Sequence, residues 1–126
     1  MRSKIRHMDE QTIQQLLRLC WSSTSSSLWS EDNPACGQCG VTSLVVQDRF
    51  GGELLKTPVN DKWHFYNRIE GIRYDFTAGQ FKTPPEYLDL AATREEVFAD
   101  TDEGQYRYLS QKFERAEGDF LSGVWL

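Results

Sequence analysis

The feature that most restricts the fold of this chain is the stretch KWHFYNRIEGIRYDFT, residues 62–77. Apolar and polar side chains alternate on both sides of Glu70-Gly71, the pattern of two antiparallel strands joined by a tight turn. A two-residue turn pairs Ile69 with Ile72, Tyr66 with Asp75 and His64 with Thr77. Alternation then places Trp63, Phe65, Ile69, Ile72, Tyr74 and Phe76 on one face, and His64, Tyr66, Arg68, Arg73, Asp75 and Thr77 on the other. His64 and Asp75 become diagonal neighbours about 7–8 Å apart between backbones, within reach of a side-chain hydrogen bond. A three-residue loop would put them on opposite faces.

The flanking segments read mostly as helices. In MDEQTIQQLLRLCW, Ile13, Leu16, Leu17 and Cys20 recur at helical spacing behind Asp9, a suitable N-cap. Val41, Leu44 and Val45, followed by Asp48 and Arg49, continue a second helical pattern that Gly51-Gly52 ends, so Cys39 falls at or just before a first turn. ELLKTPV, residues 53–59, reads as a short strand that Pro58 keeps to an edge or an end. From Thr83 onward the chain reads as helical. TPPEYLDLA has Thr83 as cap with Pro84 in the first turn, TREEVFAD carries a Thr93–Glu96 capping box, and DEGQYRYLSQKFERA spaces Tyr106, Leu109 and Phe113. The order predicts an α+β fold: N-terminal helices, one bearing Cys39, packed on a small antiparallel sheet, with a helical C-terminal region. A chain of 126 residues is expected to form one domain, 1–126.

Charge and composition narrow the partners. A net charge of −5, with no cluster of Lys and Arg, argues against nucleic acid. No apolar run is long enough for a signal peptide or a membrane span, so the expectation is a cytoplasmic protein with no membrane partner. Three cysteines in a reducing compartment point to thiol chemistry rather than a disulfide framework. The run SSTSSS between Trp21 and Trp29 reads as an ordered loop.

A thiol at a helix N-terminus faces exposed backbone N–H groups and the positive end of the helix dipole, which lower its pKa toward neutrality and make it nucleophilic. Gly40 beside Cys39 leaves room for a substrate. The alternative is a small buried residue that happens to carry sulfur. A nucleophilic cysteine needs a base and a group to orient it, and His64 and Asp75 supply both on one face. His7, near the N-terminus, is the other histidine and not a realistic base. Oxyanion donors are expected from the Cys39 N–H and from Gln38, Asn33 or a loop hydroxyl such as Ser30. Trp29, Trp63 and Tyr66 are candidates for a substrate wall, with the core as their alternative. The competing chemistry is metal, since Cys36 and Cys39 form half a zinc knuckle that Cys20 and His64 would complete. The helix after Cys39 does not suit a knuckle, and no metal site or cofactor motif is expected.

The order Cys39, His64, Asp75, on a helix and two successive strands, resembles the papain-like superfamily in its transglutaminase-like form. The blocks TSSSLW, GQCGVTSLVVQD and HFYNRI, with DFT and QF after it, resemble the YunG family of small bacterial proteins over residues 20–81. That resemblance implies a bacterial cytoplasmic protein and supports Cys39, His64 and Asp75 without supplying a substrate. Together these readings predict a cysteine-dependent acyl-transfer enzyme acting on an amide of a small molecule, peptide or protein. A non-catalytic binding module and a structural zinc protein are the alternatives. A papain-like domain of this length is near its minimum, which leaves open a homo-oligomer in which a second subunit completes the cleft.

Overall fold

The computed structural model describes residues 8–123. Helix α1 (Glu10–Cys20) starts where the Asp9 carboxylate accepts a hydrogen bond from the Thr12 N–H, and it buries Ile13, Leu16, Leu17 and Cys20. Helix α2 (Cys39–Phe50) ends at Gly51. It is buried along most of its length because the sheet, α1 and the C-terminal helix pack around it.

Strands β1 (Glu53–Val59), β2 (Lys62–Ile69), β3 (Ile72–Tyr74) and β4 (Leu90–Ala91) form one antiparallel sheet in the order β3-β2-β1-β4. Both hairpins close with two-residue turns whose residues have positive φ, Asn60-Asp61 and Glu70-Gly71, matching the right-handed strand twist. Ile69 pairs with Ile72 and Asn67 with Tyr74, the register that alternation predicts. β1 lies inside the sheet, yet β4 pairs only with Leu55 and Lys56, so Pro58 occupies the unpaired end where its missing N–H costs nothing.

One sheet face packs on α2. Phe65 and Leu54 meet Leu44 and Val97, and the buried Asn67 side chain donates to the Ser43 carbonyl. The larger core joins α1, α2 and the β2–β3 hairpin to helix α4 (Glu103–Leu121) through Leu16, Val41, Val45, Tyr74, Leu109 and Phe113. The short helix α3 (Arg94–Phe98) starts with the expected reciprocal capping box between Thr93 and Glu96.

TPPEYLDLA departs from expectation: residues 84–89 form no helix or strand, Asp89 has φ +54, and only Leu90–Ala91 is a strand. The segment covers the other sheet face. Thr57 Oγ1 donates to the Glu86 carbonyl, the Leu88 N–H donates to Thr57 Oγ1, and Asp89 accepts from Tyr66 while pairing with both nitrogens of the Arg73 fork. Tertiary hydrogen bonds override a helical start signal, and Pro84 and Pro85 already bias the residues before them away from helix.

The Arg73 guanidinium, with help from the Tyr66 hydroxyl, holds the Asp89 carboxyl below its ordinary value of 3.8. A depressed carboxylate contributes stability above its unfolded pKa and loses it as pH falls through the folded value. Asp89→Asn should therefore cost about 1 kcal/mol at neutral pH for this partly exposed pair. In urea titrations the gap from wild type should close as pH drops below 3.8.

Candidate active site

Cys39 is the first residue of α2, and no side chain caps that helix end, because Gln38 makes no capping bond. The sulfur also meets the sheet. In this register Phe65 would bond the next residue pair of β3, but β3 stops at Tyr74. The Phe65 N–H, left at the open edge of β2, faces the Cys39 thiol, as does the Gly40 N–H.

His64, one residue earlier on β2, is 3% exposed, and its Nε2 lies 2.7 Å from Asp75 Oδ2. The two residues that the alternation pattern places on one face are thus in direct contact. The Asp75 side chain is 6% exposed and holds four donors. His64 and the Tyr87 hydroxyl, at 2.6 Å, share Oδ2, while the Thr77 N–H and hydroxyl share Oδ1. The His64 ring is clamped between Tyr66, stacked at 5.8 Å, and the edge of Phe81 at 4.9 Å. Burial and the neighbouring Asp75 push the Tyr87 hydroxyl pKa up, so it remains a donor.

Cys39 and His64 line one groove of about 500 Å³, with Ser26, Leu28, Trp63 and Asp100 among its other walls. The SSTSSS loop is ordered, as expected. Ser25 and Ser26 are buried, Ser25 Oγ donates to the Ser22 carbonyl, and Ser26 Oγ donates to the Cys36 carbonyl.

Several expectations are corrected. Burial pushes the Cys39 thiol up to about 12, with the Asp100 and Asp75 charges adding to it, and the Phe65 and Gly40 N–H groups offset only part. The helix end alone does not set the thiol's acidity, because the sulfur is packed under Asp100. Gly40 accommodates that same carboxylate: a Cβ there would lie 2.5 Å from Asp100 Oδ2. Asn33 donates its amide to the Gln80 carbonyl and lines a different hollow, and the Ser30 hydroxyl is engaged by the Asn33 N–H, so neither faces Cys39. The Gln38 side chain is fully buried, with its amide toward the Ser22 carbonyl at 3.5 Å. Trp29 packs on the main core and Tyr66 supports His64 from behind, so of the three proposed wall aromatics only Trp63 lines the groove.

Cys20 lies in the core, where burial raises its pKa to about 11. Among the described residues, no three His, Cys, Asp or Glu side chains converge on a metal position, which removes the Cys3His arrangement. His7 lies outside the described residues. Among them no helix is long and apolar enough to cross a membrane.

Two site residues escape sequence reasoning. Tyr87 sits in a segment with a helix signal, and Asp100 follows α3 in a turn with no motif around it. Only the packing of that turn on α2 brings Asp100 Oδ2 to 3.9 Å from Cys39 Sγ.

These elements define an α+β protein with a small four-stranded antiparallel sheet, in which a thiol and a histidine line one groove and a buried aspartate holds the histidine. The chain belongs to the YunG family, whose profile, described as YunG protein, matches residues 9–118. It is 52% identical over 103 residues to "Uncharacterized protein YunG" of Bacillus subtilis (strain 168), covering 82% of this chain and 90% of that protein. No solved structure matches the chain, so the papain-like and transglutaminase-like layout has no counterpart there.

Proposed function

We propose that the protein is a cysteine-dependent acyl-transfer enzyme acting on amides, with the transglutaminase-like arrangement of Cys39, His64 and Asp75. The observation that carries this reading is the buried, four-donor Asp75 carboxylate holding His64 in the groove that contains Cys39. A carboxylate on one imidazole nitrogen sets the tautomer and supports the imidazolium that forms during proton transfer. Nε2 is engaged by Asp75, so Nδ1 is the nitrogen left to act on the thiol.

In the first step the Cys39 sulfur attacks the amide carbonyl carbon. The thiol proton passes to His64 and then to the departing amine nitrogen as the C–N bond breaks, leaving a thioester. Water or an amine then attacks the thioester, gives a proton to His64, and releases Cys39 as the proton returns to sulfur. The uncapped first turn of α2 offers N–H groups for the oxyanion. Because burial pushes the thiol pKa up, the sulfur becomes nucleophilic as its proton moves to His64.

The test is acylation by p-nitrophenyl acetate, followed by intact-mass and peptide mass spectrometry. Expected is a burst of p-nitrophenol matched by acetyl-Cys39, slowed about a hundredfold or more in His64→Ala. A rate that His64→Ala leaves unchanged would make Cys39 a structural thiol. The raised thiol pKa then favours the second reading, a binding module with the same groove and no turnover.

A further inference from the structure

Asp100 is the one acid among the residues lining the groove, and among the described residues no Arg or Lys side chain pairs with it, unlike Asp48, Glu53, Asp89 and Glu96 elsewhere on the molecule. Burial pushes the Asp100 carboxyl up from its ordinary value of 3.8, and the Cys39 thiol, which donates to Oδ2 across 3.9 Å, and the Lys62 charge offset only part of that. The carboxylate rests over Gly40 in the wall of the groove, next to the candidate nucleophile. An acid with no cation in the protein is placed to receive one from a ligand.

The distance restricts which cation. An ammonium bound to the carboxylate sits about 2.8 Å from its oxygen. A carbonyl carbon poised for attack sits about 3–3.5 Å from sulfur. Within an α-amino acyl group, nitrogen and carbonyl carbon are held about 2.5 Å apart by N–Cα and Cα–C bonds meeting near 111°. These lengths close on the 3.9 Å between Oδ2 and Sγ with angles near 100° at both nitrogen and carbon, so one α-amino acyl group can reach both atoms at once. A cation at the end of a lysine side chain is held at no fixed distance from the attacked carbon and would lose side-chain freedom to reach the same place.

The rim adds a second preference. Leu28, 60% exposed, and Trp63, 45% exposed, both line the groove. The Lys56 ammonium lies 4.4 Å from the Trp63 ring centroid and braces it. Large apolar surfaces flanking a polar floor suit an apolar side chain on the bound acyl group.

We infer that Asp100 recognises the free α-ammonium of an aminoacyl substrate, so that the groove takes α-amino amides or esters bearing an apolar side chain. This rests on the acyl-transfer reading of Cys39 and His64. Ammonium binding also neutralises the charge beside the sulfur, which couples thiol ionisation to the correct ligand.

The experiment compares leucine chloromethyl ketone with its N-acetyl derivative, following modification of Cys39 by mass spectrometry. Sulfur displaces chloride, forming the S–C bond as the thiol proton passes to His64. Expected is labelling at least tenfold faster with the free amine, with the preference lost in Asp100→Asn and the labelling by both reagents lost in His64→Ala. Equal rates for the two reagents in wild type, or a faster N-acetyl reagent, overturn the Asp100 assignment while a His64 dependence leaves the acyl-transfer reading in place. Equal rates would be the result if Asp100 instead served the leaving amine. A free-amine preference that persists in His64→Ala keeps the ammonium site and overturns the acyl-transfer reading. The wild-type comparison does not depend on the folding of any variant.

Discussion

Asp75→Asn should slow acylation of Cys39 by about a thousandfold or more and lower stability by about 2–4 kcal/mol. Both effects come from one carboxylate that accepts from His64 and Tyr87 at Oδ2 and from the Thr77 N–H and hydroxyl at Oδ1. A carboxamide has one accepting oxygen. If that oxygen faces Thr77, the NH2 group meets His64 and Tyr87; His64 must then present an unprotonated Nε2, which moves its proton to Nδ1 and removes the base. If the oxygen faces His64, the Thr77 donors lose their acceptor in a buried site. The amide also lacks the charge that supports an imidazolium. The p-nitrophenol burst and urea denaturation read the two effects separately. Lowered stability with unchanged acylation would reduce the His64–Asp75 pair to a structural contact.

Gly52→Val is expected to destabilise the fold by about 3–5 kcal/mol, the range reserved for severe backbone or core conflicts. Gly52 has φ +87, and a Cβ there would lie 2.3 Å from the Arg68 carbonyl oxygen and 3.0 Å from Ile69 Cγ1. The atom in the way is backbone of β2 and cannot step aside without breaking its pairing to β1. Gly71 in the β2–β3 turn is the control, with φ +80 and nothing within 4 Å of the same virtual atom. Gly71→Ala should show only the left-handed backbone cost of about 1–2 kcal/mol. Thermal or urea unfolding of both variants checks the contrast. Equal losses would mean that the close approach to β2 is not what holds Gly52 in place.

The sheet and the helices were legible in the sequence to different degrees. Period-two alternation with Glu70-Gly71 at its centre is a local signal, so the register of β2 and β3, and with it the meeting of His64 and Asp75, follows from the chain alone. The Asp9 cap, the Thr93–Glu96 box and the glycines after Phe50 are equally local, and all hold. TPPEYLDLA carries a helix start of the same kind, yet Thr57, Tyr66 and Asp75 draw Glu86, Tyr87, Leu88 and Asp89 across the sheet. Asn33 and Gln38 precede Cys39 closely in sequence, yet their side chains turn to Gln80 and Ser22.

What the sequence determined by itself is therefore α1, α2, the β2–β3 hairpin with its register, and the caps of the helices, because each depends on neighbours a few positions away. The tertiary structure decided the environment of the sulfur. Ending β3 at Tyr74 leaves the Phe65 N–H for Cys39, and packing the turn after α3 over Gly40 sets Asp100 beside the thiol. A pKa reports the water and charge around a group, and at Cys39 those are supplied by residues far along the chain.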